Sequence, residues 1–362
     1  MRGADEGTVR AALAAGDPLP GTGGFAGELD GSLVRDVLGR ELVYADREPG
    51  AWSFDPGDLA EATLLPAGHA LALAGDGEPR RAWTLPDPAP ERDAETAVGA
   101  VREAVRERVD AVAESGLAVA FSGGVDSTAV AARVDAPLYV AGFEGSHDVE
   151  AARSAAAALD READLRVVEV THDDIERAVR GVVAATGRTN AMDVGIAVPL
   201  FVLAERVAAD GYDRLALGQG ADELFGGYAK VAGAPDDDRV AADTVRGARR
   251  ETVLGLADQL ERDLRTLRGA GVEPVTPLLD DPVVRAALSL PGELLVSGDE
   301  RKVGFRRAVD PWVPASVVDR DKKALQYGSL VARELDRMAR QAGFKRRLND
   351  HVRKYVESIT DP

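Results

Sequence analysis

The 362-residue chain has no cysteine. That absence excludes disulfides, thiolate metal sites, iron–sulfur ligation, a cysteine nucleophile and persulfide sulfur transfer together. Lysine is nearly absent: Lys230, Lys302, Lys322, Lys323, Lys345 and Lys354 are the whole set, and the other basic residues are arginine. Long apolar runs are missing too, since none reaches the roughly 18 residues of a membrane-spanning helix. The opening MRGADEGTVR has no basic start followed by an apolar stretch. Neither a membrane partner nor a secretory signal is therefore expected, and a cytoplasmic protein is the simplest expectation. His69, His147, His172 and His351 show no metal-ligand spacing. Acid, by contrast, is abundant: 62 Asp and Glu stand against 44 Lys and Arg, a net charge of −18. Such a surface suits a high-salt, halophilic cytosol, where a Debye length of ~3 Å at molar salt screens self-repulsion. A GC-rich genome is the plainer account of the same composition. Hydrophobic residues make up 45%, enough for a real core and too many for a disordered chain. The length fits about two domains.

Residues 1–85 are rich in Gly and Pro. Leu42-Val43-Tyr44, Ala51-Trp52-Ser53-Phe54 and Ala70-Leu71-Ala72-Leu73 read as short strands between turns, after a helix near Thr8–Ala15. Pro86-Asp87-Pro88-Ala89-Pro90 reads as a stiff extended linker within 86–94. From Glu95 the pattern changes. Helical spacing over Ala97–Val112 ends at Gly116, and Leu117–Phe121 is a continuous apolar run, as expected of a strand buried on both faces. Strands at Pro137–Phe143, Leu165–Val170 and Arg214–Gly218 then alternate with helices at Asp148–Leu159, Asp173–Ala185 and Ile196–Ala209. This alternation predicts an α/β fold with a doubly wound parallel sheet. Residues 240–362 read as mostly helical and are expected to pack against the sheet rather than extend it. The division expected is 1–85, a β-rich domain; 86–94, a linker; and 95–362, the α/β domain.

The strongest local signal is Ser122-Gly123-Gly124-Val125-Asp126-Ser127-Thr128, directly after a buried strand and before a helix. Small residues let backbone N–H groups curl around an anion, the helix start adds partial positive charge, and three hydroxyls offer donors. The loop lacks the lysine and spacing of G-x-x-x-x-G-K-[ST], and it is not G-x-G-x-x-G. Asp126 is the informative member: a carboxylate beside bound phosphate calls for a cation between them, and Mg²⁺ is the usual one. The plainer alternative is an ordinary strand-to-helix turn with Asp126 near the helix start.

This loop resembles that of the PP-loop, or ATP pyrophosphatase, superfamily. A second segment, Leu215-Ala216-Leu217-Gly218-Gln219-Gly220-Ala221-Asp222-Glu223-Leu224-Phe225-Gly226-Gly227-Tyr228, resembles the asparagine synthetase signature S/T-G-E-G-A-D-E-L-F-G-G-Y. The resemblance implies ATP and Mg²⁺ as cofactors, with Ser122, Gly123, Gly124, Val125, Asp126 and Ser127 around the phosphates. It puts adenine near Ala120, Ala141, Leu217 and Gly218, and metal on Asp126 and Asp222. Asp148 sits where the family has an acidic residue opening a helix. Glu273 to Asp281 (EPVTPLLDD) resembles the family's E-x-R-x-P-F-L-D, and Lys302 with Arg306-Arg307 its E-K-x-x-L-R-x-A. Arg320-Asp321-Lys322-Lys323 through Gly328 resembles its R-x-K-x-x-F-x-x-G. By that resemblance Lys322 meets the α-phosphate and the charge developing there, and Lys302 is a second catalytic candidate. For both lysines the plainer alternative is a solvated surface side chain.

The same resemblance implies an enzyme that adenylates a carboxylate, releases pyrophosphate and lets an amine displace AMP to form an amide. Shorter pieces of 1–85 (Gly23–Asp30, Asp36–Tyr44, Trp52–Phe54, Leu65–His69) resemble the family's glutaminase domain. That domain needs an N-terminal cysteine, so residues 1–85 read as a shortened remnant inactive as a glutaminase. The expected partners are a small carboxylate, ammonia or another amine, a separate glutaminase chain, and a second copy of this chain in a homodimer. Nucleic acid is not among them. Gln219 stands where asparagine synthetases have a glutamate base, and Glu223 or Glu144 are substitutes on sequence. Val275-Thr276 replaces an arginine. The stretch Asn190–Pro199 is mostly apolar where the family carries Thr and Arg for aspartate, which makes aspartate a doubtful substrate. Two alternatives stay open: a nucleotide-binding protein with altered catalysis, which Gln219 favours, and a tRNA-modifying PP-loop enzyme.

Overall fold

The computed structural model describes residues 1–48, 50–74, 77–143, 145–234, 244–320, 327–345 and 350–360. The chain divides into two compact units. One comprises Met1–Arg108, Gln219–Glu261 and Thr276–Ala308; the other comprises Val109–Gly218, Arg262–Val275 and Val309–Pro362. Residues 86–94 lie inside the first, with chain from both sides of them.

The first unit begins with helix Glu6–Ala15, capped by the Asp5 side chain at Thr8 N and closed by Gly16 in the left-handed region. Strands β1 (Ala26–Leu29) and β2 (Ser32–Arg35) form a hairpin. Its two-residue turn, Asp30-Gly31, has positive φ at both positions, the backbone that matches strand twist. Strands β3 (Tyr44–Ala45), β4 (Trp52–Ser53), β5 (Thr63–Leu64), β6 (His69–Ala72) and β7 (Arg80–Arg81) complete two small antiparallel sheets, β1-β2-β6-β7 and β4-β3-β5. Ala26, Leu33, Val43 and Leu65 fill the space among them, with Trp52, Phe54, Leu71 and Leu73 packed against that cluster.

The second unit is built on one parallel sheet. Strands β8 (Leu117–Ala120), β9 (Leu138–Gly142), β10 (Leu165–Glu169), β11 (Arg214–Ala216) and β12 (Glu273–Val275) take the order β10-β9-β8-β11-β12. This is the α/β class expected. The correction lies at one edge: β12, from the C-terminal third, pairs with β11 and extends the sheet. Helix Ala191–Ala209 starts five residues before the expected Ile196, because the Asn190 side chain accepts from Asp193 N (2.9 Å) and caps it. One face of the sheet is covered by an apolar cluster that includes Ala118, Tyr139, Ala141, Ile175, Val198, Leu215 and Leu335. The C-terminal helices Tyr327–Gln341 and His351–Thr360 contribute to it.

Back in the first unit, a short hairpin, β13 (Val296–Ser297) with β14 (Glu300–Arg301), leads into helix Val303–Val309.

Candidate functional site

Strand order places one crevice in the second unit. The chain runs from β8 to β9 and β10 on one side, then returns to β11 on the other. Connections therefore leave β8 and β11 in opposite directions, and the carboxyl ends of those two strands are the topological switch point, where open α/β sheets bind ligands. Both of the loops singled out above start there.

After β8 the buried Phe121 hands over to Ser122, Gly123 and Gly124, and helix Val125–Ala131 follows. Gly123 has φ +72, and a side-chain carbon there would lie 2.6 Å from the Ala151 carbonyl carbon. Only glycine fits so close to helix His147–Ala158. The hydroxyls divide their roles. Ser127 is buried and braces the loop: it accepts from Ser122 N (3.2 Å) and donates to the Gly124 carbonyl (3.2 Å). Ser122 is exposed. Thr128 is fully buried, so its hydroxyl does not face a ligand as the sequence reading had it. The first-turn amides of a helix have no intrahelical acceptor, and here Gly124 at the N-cap supplies no side chain to them. Asp126 is half-buried at this turn. Gly218, leaving β11, lies against the same turn, where an added carbon would sit 2.7 Å from the Asp126 carbonyl carbon and 2.8 Å from Ser127 N. Of the residues expected near adenine, Ala141 and Leu217 are buried in the apolar cluster and Ala120 packs against it. Asp148 is largely buried, and burial pushes its carboxyl up against the opposing pull of His147.

The signature segment continues in the first unit. Gln219 is half-buried. Gly220, at φ +93, opens helix Ala221–Phe225, and Gly226 closes it in the left-handed region. Asp222 Oδ1 lies 2.6 Å from Lys302 Nζ. Lys302 is only 2% exposed, and its backbone has φ +61, a conformation costly for a residue with a side chain. Its N–H donates to the Leu295 carbonyl (2.7 Å). Gly227 roofs the pair, with Asp222 Oδ1 and Lys302 Cε both inside the space a methyl would need. Arg301 donates to the Gly227 carbonyl (2.8 Å) and holds that roof. Beside it, burial pushes the Glu223 carboxyl up, partly offset by the Tyr228 hydroxyl donated to it at 2.6 Å. Phe225 stacks on Phe305 at 4.7 Å beneath the segment.

Lys302 was thus legible as special, but its pairing with the quarter-exposed Asp222 was not. Gly227 was legible only as part of a signature, although a Gly-Gly pair after an acidic turn does point to close packing. Lys322, Lys323 and Glu144 lie outside the described residues. The described residues contain no group of three His, Asp or Glu side chains that would hold a metal by themselves. No described helix is long and apolar enough to cross a membrane.

A parallel sheet in this order, with a Ser-Gly-Gly loop at its switch point, defines an α/β protein of the PP-loop type. The asparagine synthase family profile matches residues 98–259 and 249–358, and the chain belongs to that family. A Methanocaldococcus jannaschii protein bearing a glutamine-hydrolyzing asparagine synthetase name is 30% identical over 297 residues, 70% of this chain and 53% of that protein. One of Acanthamoeba polyphaga mimivirus with the same kind of name is 30% identical over 61% of this chain and 41% of its own length. The nodule asparagine synthetase (glutamine-hydrolyzing) of Pisum sativum is 26% identical over 58% and 39%. The chain spans about half the length of the curated relatives it matches.

Proposed function

We propose that this chain is an ATP-dependent, amide-forming ligase of the asparagine synthetase type that does not hydrolyse glutamine itself. One observation carries the reading: the Ser122–Ser127 loop stands at the switch point of the sheet, with Gly218 packed on its Asp126–Ser127 peptide. Elementary chemistry and family membership supply the rest. In this reading the loop amides and Ser122 cradle the phosphates of ATP, and the strand ends at Ala120, Ala141, Leu217 and Gly218 take the adenine. Asp126 and Asp222 are the metal carboxylates. Mg²⁺, when bound, would neutralise phosphate charge. Lys302 fixes the Asp222 carboxylate, and Lys322 is assigned to the α-phosphate. A substrate carboxylate oxygen attacks the α-phosphorus and pyrophosphate leaves; an amine then attacks the acyl carbon and AMP leaves.

The carboxylate is unassigned. Aspartate is disfavoured because the one acidic side chain of Asn190–Pro199, Asp193, is already held by Asn190, Arg188 and Arg262. Ammonia, free or from a separate glutaminase chain, is the proposed amine. Residues 1–85 are proposed as a shortened glutaminase-like domain, since the chain has no cysteine to act as nucleophile. Gln219 favours a second reading, a nucleotide-binding protein with altered catalysis, because an amide cannot accept the amine's proton.

The test is pyrophosphate release from Mg-ATP in molar KCl with ammonium and a panel of carboxylates. Release that depends on one acid, with AMP and the amide as products, supports the ligase. ATP binding that Asp126→Ala abolishes, with no release for any acid, sinks it in favour of the second reading.

A further inference from the structure

The cysteine-free residues 1–85 grip one short segment of the chain with several buried polar contacts. That segment is Leu279-Asp280-Asp281, at the start of helix Asp281–Leu288. Arg40 donates from Nη1 to the Leu279 carbonyl (2.7 Å), and its Nη2 lies 2.7 Å from Asp281 Oδ1. Its Nε donates to Asp36 Oδ1 (2.9 Å), so the guanidinium is locked from behind. Asp281 Oδ2 accepts from Gly21 N (2.9 Å) and Thr22 N (2.7 Å), and Asp281 N donates to the Thr22 carbonyl (2.9 Å). Arg40, Asp36 and Asp281 are all essentially inaccessible to solvent. Two carboxylates and a fork-shaped cation in such a place make a rigid joint, not a surface tether.

The other side of that segment reaches the signature. The Leu279 side chain fills the space over Gly220, where a side-chain carbon would lie 2.5 Å from Leu279 Cγ. Gly220 is the left-handed N-cap of helix Ala221–Phe225, one residue from Gln219 and two from Asp222. The signature turn is therefore held from two directions. Lys302 holds Asp222 directly, and Leu279 holds Gly220 with the front domain's Arg40 behind it. All of these residues belong to the first unit.

We propose that Arg40 is a positioning residue for the signature turn: by clamping Leu279–Asp281, the cysteine-free front domain fixes Gly220 and with it the orientation of Asp222. The positioning claim stands on the contacts above. Its consequence for metal use rests on the ligase reading.

Hydrogen exchange of the full chain tests it. The informative amides are Leu224 N–H, bonded to the Gly220 carbonyl, and Gly227 N–H, bonded to the Asp222 carbonyl. Arg40→Lys keeps a positive charge but cannot reach three acceptors at once. Leu279→Ala leaves the backbone and side-chain bonds of Asp281 in place and removes the packing over Gly220. Each should speed exchange at Leu224 and Gly227 by about ten-fold or more while the Ala26–Arg35 hairpin changes by less than about two-fold. The double variant should exceed the larger single effect little, because both act through one contact. In turnover, the Mg²⁺ concentration for half-maximal pyrophosphate release should rise about ten-fold, more than kcat falls. Unchanged exchange at Leu224 and Gly227, or an equal rise in the hairpin, overturns the proposal. If Arg40→Lys does not fold, Arg40→Met, which keeps most of the buried volume and removes the bonds to the Leu279 carbonyl and Asp281, is read by the same exchange at Leu224 and Gly227. The expected exchange pattern in a protein that releases no pyrophosphate with any acid leaves the positioning role standing and removes only the ligase reading.

Discussion

Gly227→Ala is the most economical probe of the buried charge pair. Gly227 is not one of the left-handed glycines, so alanine adopts its backbone and the effect is steric alone. The new methyl carbon would lie 2.7 Å from Asp222 Cγ and overlap Asp222 Oδ1 and Lys302 Cε, whereas ordinary contact begins at 3.4 Å. The clash is tightest at Asp222 Oδ1, which must retreat by 3.4 − 1.8 = 1.6 Å, enough to take a 2.6 Å ion pair out of hydrogen-bond range. Lys302 cannot follow, because it is closed off from solvent and its backbone is fixed by the hairpin before it. Breaking a buried pair costs ~3–5 kcal/mol. Asp222, a quarter exposed, recovers part of that in water, so a loss of about 3 kcal/mol is expected. Urea denaturation of both proteins at equal salt measures it, with pyrophosphate release as the functional readout. A loss below about 0.5 kcal/mol, the scale of an unremarkable surface change, would refute the account of Gly227 as the roof of a pair that cannot move.

Three further outcomes follow from the same contacts. Gly218→Ala pushes into the Asp126–Ser127 peptide and should weaken ATP binding, read by calorimetry, about a hundred-fold, with helical content unchanged by circular dichroism. Burial raises the Asp280 carboxyl to about 6, against the pull of Arg108 and Arg40. Its folded form therefore holds the proton more tightly than the unfolded chain. The resulting stability is complete below about pH 4 and lost as pH rises through about 6, so Asp280→Asn should match the parent at low pH and exceed it by about 3 kcal/mol at pH 7. Asp193 behaves oppositely: burial would raise it, but Asn190, Arg262 and Arg188 hold it below the usual carboxylate range. That stability is present above about pH 4 and lost as pH falls through the lowered value, so Asp193→Asn should cost about 3 kcal/mol at pH 7 and progressively less in acid, measured by urea midpoints across pH.

Which parts of this protein were readable from its residues follows from how far each interaction reaches along the chain. The parallel strands were visible because a strand buried on both faces must be apolar throughout, and Leu117–Phe121 and Leu138–Gly142 are. The loop at Ser122–Thr128 was visible because close packing leaves only small residues, and Gly123 against Ala151 shows that constraint at work. Strand β12 was missed because its three residues, one of them proline, carry no periodic signal; its place is set by pairing with β11. The start of helix Ala191–Ala209 lies five residues before Ile196 for a local reason: the Asn190 side chain caps the helix at Asp193 N and bonds the Asp193 carboxylate, which the apolar spacing does not signal. Lys302 and Asp222 lie 80 positions apart in the numbering, and Arg40 and Asp281 lie 241 apart. Nothing in either residue's neighbourhood announces its partner. Yet composition does constrain these pairs: in a chain with six lysines, a lysine held at positive φ and sealed from water is costly on two counts, and that cost persists only where the surrounding structure needs the charge. The same logic applies to Arg40, a buried arginine in the cysteine-free segment 1–85. If the domain served only as a cover, an apolar side chain of similar volume would do as well or better. That a guanidinium remains there argues that the domain is kept for the geometry it imposes on Leu279 and Gly220.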